Sequence, residues 1–171
     1  MQQNTNKLSE NEKKFLLCLL DDGSLTDTKI SQKIKVNKST CSRIRKRLEK
    51  EFISGYIPIV DLDKVGIDIF IVLTFQWKEF NNKELTKKFF TNLEKDPHVI
   101  FLANGEGAGI TTVVFLGFRN IQEYHNYFKM FRNQYDKYLN NISSLILPSK
   151  EVKKNDFTEI IKYVLENKNE K

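Results

Sequence analysis

Polar and apolar residues alternate along this chain in two different rhythms, and the first is helical. Residues 1–7 are polar and read as a disordered lead-in. Ser9 and Glu12 then stand at capping-box spacing, where each side chain satisfies a backbone donor left open at a helix start. The apolar run FLLCLL follows, and Asp21-Asp22-Gly23 closes the helix. A second helix is expected over about 27–34, with Thr26 as its cap and Ile30 and Ile34 facing inward. Lys35 and Val36 make a tight turn, and Asn37 suits the N-cap of a third helix reaching about Lys50. Three short helices, the last two joined by a tight turn, form a helix-turn-helix arrangement.

The rhythm then changes to that of strands. FISGYIPIV (52–60) alternates apolar and polar residues and reads as a connecting strand. DLDKVG (61–66) is a polar linker ending in glycine. Beyond it, strands are expected over 67–77, 98–104, 110–118 and 142–152, with helices over 81–96 and 120–139. Leu85, Phe89, Phe90 and Leu93 mark the inward side of the first of these helices. The order strand–helix–strand–strand–helix–strand is the ferredoxin-like βαββαβ arrangement, whose sheet is covered by helices on one face only. The open face invites a second copy of the chain. Residues 153–171 form a C-terminal extension with one more helix, Asp156 and Glu159 standing at capping-box spacing. The expected class is therefore α+β: a helix-turn-helix domain over 1–60, a linker over 61–66, a ferredoxin-like domain over 67–152, and a helical extension.

Charge sharpens this picture. The net charge of +6 is modest. Its distribution is not, because residues 1–60 carry 12 Lys and Arg against 7 Asp and Glu, and the remainder carries 16 against 15. Most of the excess lies in VNKSTCSRIRKRLEK (36–50), where Glu49 is the only acid. On a helical wheel Cys41, Ile44 and Leu48 share one side. Ser39, Ser42, Arg43, Lys46 and Lys50 fall near the opposite side, and Lys38 and Arg47 lie on the flanks. A solvated helix usually mixes signs at i,i+4. This one has a face to bury and a face of cations and short hydroxyls, which suits close approach to phosphates. As the second helix of the motif it would enter the major groove of double-stranded DNA. Lys38, Ser39 and Arg43 near its start are the candidates for base edges, Ser42, Lys46 and Arg47 mainly for phosphates, and Thr40 is a further DNA-binding candidate.

Other chemistry is sparse. Cys18 and Cys41 stand at apolar helix positions and read as reduced, buried thiols; no Cys/His cluster has metal-ligand spacing, and no metal or cofactor is expected. His98 and His125 have no nucleophile or carboxylate arranged around them in sequence, so no enzyme is expected. The polar stretch MQQNTNKLSE does not read as a signal peptide, and the longest apolar run, IFIVL (69–73), is too short to span a bilayer, so the expected location is the cytoplasm. GEGAG (105–109) leads into a strand rather than a helix, which makes it a hairpin turn rather than a phosphate loop. Tyr124, Tyr127, Phe128, Phe131, Tyr135 and Tyr138 follow helical spacing and read mainly as packing against the sheet. Some of these rings, and Trp77 at a strand end, are also candidates for a subunit contact.

Together these residues resemble the Lrp/AsnC, or feast/famine, family of transcription regulators over about residues 8–150. The junction RLEKEFISGYIPIVDLDKVG carries the resemblance best, through Leu48, Glu49, Ile53, Gly55, Tyr56, Asp61 and Gly66. The resemblance implies a sequence-specific DNA-binding regulator that dimerises through its sheets, assembles further, and binds a pseudo-palindromic site. It also implies a small-molecule effector, often an amino acid, near the loop between the second and third strands of the sheet, here Asn104, Gly105, Glu106, Gly107 and Ala108. Three departures stand out. The glycine between the recognition helix and the next Ile is missing, Lys35 replaces a common turn glycine, and the effector-loop acid is absent, with Glu106 nearby. The alternative is a ligand-sensing or assembly module whose DNA binding is architectural and non-specific.

Overall fold

The computed structural model describes residues 8–62 and 64–166, which fall into two units, 8–59 with 155–166 and 60–154. The lead-in expected over 1–7 lies outside the described residues.

The first unit holds α1 (Glu10–Asp21), α2 (Asp27–Ile34), α3 (Lys38–Glu51) and the C-terminal helix α6 (Thr158–Glu166). Each helix of the motif starts where a side-chain oxygen can accept an open N–H. Ser9 and Glu12 form the reciprocal capping box of α1, Thr26 caps α2, and Asn37 accepts from the Thr40 N–H at 2.7 Å to cap α3. The turn between α2 and α3 is left-handed at Lys35 (φ 57°, ψ 46°), so the chain adopts at a lysine the conformation that glycine would take without strain. The apolar faces meet in a core of Phe15, Leu19, Leu25, Ile30, Cys41, Ile44 and Leu48. Helix α6 lies against α1, with Leu165 buried and an ion pair of Lys162 with Asp21 at 2.8 Å. Its remaining apolar side chains, Ile160, Ile161, Tyr163 and Val164, are exposed, as is Phe157 just before it.

The strand expected over 52–60 is not formed. From Ile53 onward the segment has no regular secondary structure and no ladder partner among the described residues, and Ile57 and Ile59 are 90% and 91% exposed. Alternation gives a chain the shape of a strand, but only a second strand gives its N–H and C=O groups a ladder.

The second unit holds β1 (Ile69–Trp77), α4 (Lys83–Glu94), β2 (Val99–Gly107), β3 (Ile110–Phe118), α5 (Ile121–Tyr135) and β4 (Leu139–Pro148). All pairings are antiparallel, in the order β2-β3-β1-β4, which is the ferredoxin-like topology. Alternate residues of the central strands point to the helices. Ile71, Leu73, Phe75 and Trp77 of β1 and Val114, Leu116 and Phe118 of β3 pack with Phe89, Leu93, Tyr124, Phe131 and Tyr135. Leu85, Phe90, Tyr127, Phe128 and Tyr138 border this core, so the aromatic series of α5 is packing. Trp77 is also core rather than subunit contact: it is 1% exposed, stacks on Phe89 at 4.2 Å, and donates its indole N–H to Thr86 Oγ1 at 3.0 Å. On the opposite face Phe101, Phe115, Val72 and Leu145 stand in register as a row across all four strands.

Boundaries differ from expectation at the hairpin. Strand β2 continues to Gly107, so the turn shrinks to Ala108 and Gly109, both with positive φ (49° and 71°), as a two-residue turn between right-twisted strands requires. Asn141, also left-handed, lies in β4 opposite the point where the β1–β4 register shifts, and it donates to Gly109 O at 3.0 Å.

Candidate nucleic-acid interface

The cations of α3 divide into two groups. Burial of Cys41, Ile44 and Leu48 fixes the roll of the helix, and the wheel then decides which arginines can reach neighbouring elements. Arg45 lies beside the buried stripe. Its Nε donates to Asp27 Oδ1 at 2.6 Å, Nη2 to Leu25 O at 2.7 Å, and Nη1 to the Tyr56 hydroxyl at 3.3 Å, with the guanidinium over the Phe15 ring at 5.3 Å. Arg47 lies on the other flank and is held by Glu12 at 2.6 Å and Glu51 at 3.2 Å.

Lys38, Arg43 and Lys46 are exposed and make no ion pair among the described residues. They share one face with Ser39 and the half-buried Ser42. The Ser39 hydroxyl donates to Asn37 Oδ1 at 2.8 Å, so its donor is already used within the cap. Thr40 is half-buried, and its N–H closes the cap. The structure therefore brings Lys38, Ser39, Ser42, Arg43 and Lys46 together on an open cationic face. Arg47, read from sequence as a phosphate contact, is already engaged with two carboxylates.

Glu12 is the acid that makes this division possible. Burial would raise its carboxyl, but the Ser9 N–H and hydroxyl, and then Arg47, outweigh burial and hold it below the usual carboxylate range. Sequence reasoning missed Arg45, Asp27, Glu12 and Tyr56 as partners. Only the position of Arg45 next to the buried stripe, and of Asp27 in the first turn of α2, could have hinted at them.

The effector-loop residues are also divided. Gly105 and Glu106 line an open cleft of about 570 Å3 together with Gln76, Lys78, Phe80 and Thr111. Asn104 is occupied with the buried Thr112 hydroxyl at 3.1 Å, and Gly107 and Ala108 belong to the hairpin end. Among the described residues no group of His, Cys, Asp and Glu could hold a metal ion, and no helix is long and apolar enough to cross a membrane.

Residues 8–51 match a family of winged helix-turn-helix DNA-binding domains. Among the described residues of this unit no wing strands are formed. Most of the chain is similar in fold to solved transcription regulators. One is the regulator NMB0573 of Neisseria meningitidis in complex with L-Met (TM-score 0.74, 18% identity, 90% of this chain and 99% of that one). Others are an AsnC family regulator of Agrobacterium tumefaciens (0.74, 16%, 90% and 99%) and AsnC of E. coli (0.72, 12%, 88% and 98%). The fold is that of the Lrp/AsnC regulators. In sequence, the transcriptional regulator AzlB of Bacillus subtilis (strain 168) is 29% identical over 93 residues, 54% of this chain and 59% of that protein's length. The Lrp/AsnC fold accounts for the order of a helix-turn-helix unit before a βαββαβ unit, as the sequence led us to expect.

Proposed function

We propose that this protein is a DNA-binding transcription regulator of the Lrp/AsnC type that reads a pseudo-palindromic site as a dimer or higher oligomer. The observation that carries the reading is the open face of α3: among the described residues Lys38, Arg43 and Lys46 make no ion pair, in a helix whose other two arginines are both tied down. Lys38, Ser39 and Arg43, near the helix start, address base edges, and Lys46 and Ser42 lie against phosphates. The dimer contact is the helix-free sheet face, where Phe101, Phe115 and Leu145 are 47%, 37% and 58% exposed in one row.

An effector occupies the cleft beside Glu106. A carboxylate and the Lys78 ammonium border the same space, which suits a zwitterion such as an amino acid. The L-Met complex of the Neisseria regulator supports an amino acid as the class of ligand.

The test is selection of bound duplexes from a random pool at two salt concentrations. Enrichment of a two-fold symmetric sequence, with affinity falling steeply in salt, is the expected result. Binding without enrichment would replace the reading with an architectural role, and no binding at either salt would remove DNA as the partner. Phe115→Glu should yield monomers in sedimentation. Glu106→Gln should abolish any thermal shift that wild type shows with amino acids.

A further inference from the structure

Tyr56 lies only five residues beyond α3, where the chain forms no regular element and its neighbours Ile57 and Ile59 are exposed. Yet its hydroxyl is held at both its donor and its acceptor positions. It donates to Glu49 Oε1 at 3.0 Å and accepts from Arg45 Nη1 at 3.3 Å. Arg45 is in turn fixed by Asp27 and Leu25 O at the start of α2 and by the Phe15 ring of α1, and its Nη1 lies 3.8 Å from Glu49. The Tyr56 ring passes close to Gly23: a Cβ there would be in ordinary contact with Cδ1, at 3.8 Å. One arginine thus joins all three helices of the motif to the segment that leaves it.

We infer that Tyr56, Glu49 and Arg45 form a latch that fixes the direction in which the connecting segment leaves the DNA-binding unit, and through it the spacing between the two half-sites a dimer accepts. Arg45 and Tyr56 are positioning residues and contact no base. The inference about spacing rests on the reading given under Proposed function, whereas the latch itself does not. The chemistry of the group suits a latch better than a core. A phenol between a guanidinium and a carboxylate is oriented by charge-assisted hydrogen bonds. Being half exposed, those bonds can break without opening the core of Phe15, Ile30, Cys41 and Leu48. Without the latch, residues 53–59 are held to the unit mainly by the Ile53 N–H bond to Leu48 O and the packing of Ile53.

The experiment uses the full chain and two readouts. Wild type, Tyr56→Phe, Glu49→Ala and Glu49→Gln are digested with subtilisin in the absence of DNA, and cut sites are located by mass spectrometry. The same proteins then select from duplexes carrying two half-sites at varied separation. Tyr56→Phe keeps the ring and the Arg45–Asp27 pair, and Glu49→Gln keeps an acceptor. We expect Tyr56→Phe and Glu49→Ala to be cut at least several-fold faster between residues 53 and 60, with unchanged thermal midpoints, and Glu49→Gln to resemble wild type. The same two fast-cut variants should accept a wider range of separations at unchanged affinity for a single half-site. Equal cutting rates in all four proteins would overturn the latch. Faster cutting with an unaltered separation preference would overturn its role in spacing. If wild type selects no paired sites, the regulator reading falls, and the digestion still decides the latch.

Discussion

Arg47 reaches from α3 to α1 and donates to Glu12 at 2.6 Å, although Glu12 also serves the capping box of α1. The guanidinium therefore holds α3 against α1, and does so with a carboxylate that is itself buried. Arg43, one helical turn earlier, has no such partner among the described residues.

The two arginines should respond differently to truncation. Arg43→Ala should leave the thermal midpoint unchanged, lower DNA affinity by about 1–3 kcal/mol if the contact is bidentate to a base, and broaden the selected sequence. Arg47→Ala should instead lower the thermal midpoint, because it leaves the Glu12 carboxylate buried without its cation. Calorimetry and sequence selection on the two variants separate these outcomes. A broadened sequence preference in Arg47→Ala at an unchanged midpoint would return Arg47 to the reading face.

Glu12 also sets a pH dependence. Its carboxyl is depressed in the folded chain, so the unfolded chain binds the proton more readily. The stabilisation is complete above the unfolded value, near pH 4.5, and is lost as pH falls through the depressed folded value. Glu12→Gln cannot titrate, so its stability should fall less steeply than that of wild type below about pH 4.5. Parallel acid limbs in denaturant titrations of the two proteins would show that Glu12 does not contribute.

Much of this architecture was legible in the residues because it rests on local rules. Ser9 with Glu12, Thr26 and Asn37 announce helix starts by their own hydrogen-bonding needs, and strand alternation in 69–77 and 110–118 announces which face is buried. The segment 52–60 shows the limit, since alternation says nothing about where a pairing strand will come from. The cationic face of α3 was legible from the wheel, but the fate of each arginine was not. Arg45 is bonded to Asp27, 18 residues away, and Arg47 to Glu12, 35 residues away, and no local spacing encodes such distances.

Lys35 offers a stabilising substitution. A left-handed lysine carries about 1–2 kcal/mol of steric cost, and glycine removes it while adding roughly 0.5–1 kcal/mol of chain entropy to the unfolded state. Lys35→Gly should therefore raise stability by roughly 0.5–1 kcal/mol. The side chain is exposed and takes part in no ion pair among the described residues, so nothing is lost with it. A lower denaturation midpoint in the variant would mean that the turn is not strained at this residue.

Trp77 gives the second unit its own probe, because it is the only tryptophan in the chain. Its ring is stacked on Phe89, and its N–H has a single acceptor, Thr86 Oγ1, which itself donates to Glu79 O at 2.7 Å. Thr86→Val preserves volume but leaves a buried indole N–H unpaired, which costs about 1–3 kcal/mol. Trp77→Ala removes the ring altogether, and cavity formation raises the cost to about 3–5 kcal/mol. Denaturant unfolding followed by Trp fluorescence for Thr86→Val, and by circular dichroism for Trp77→Ala, measures both. The hydrogen bond makes the difference between an indole that merely fills space and one that ties β1 to α4. If Thr86→Val matches wild type, the N–H has found another acceptor and the link between those elements is apolar packing alone.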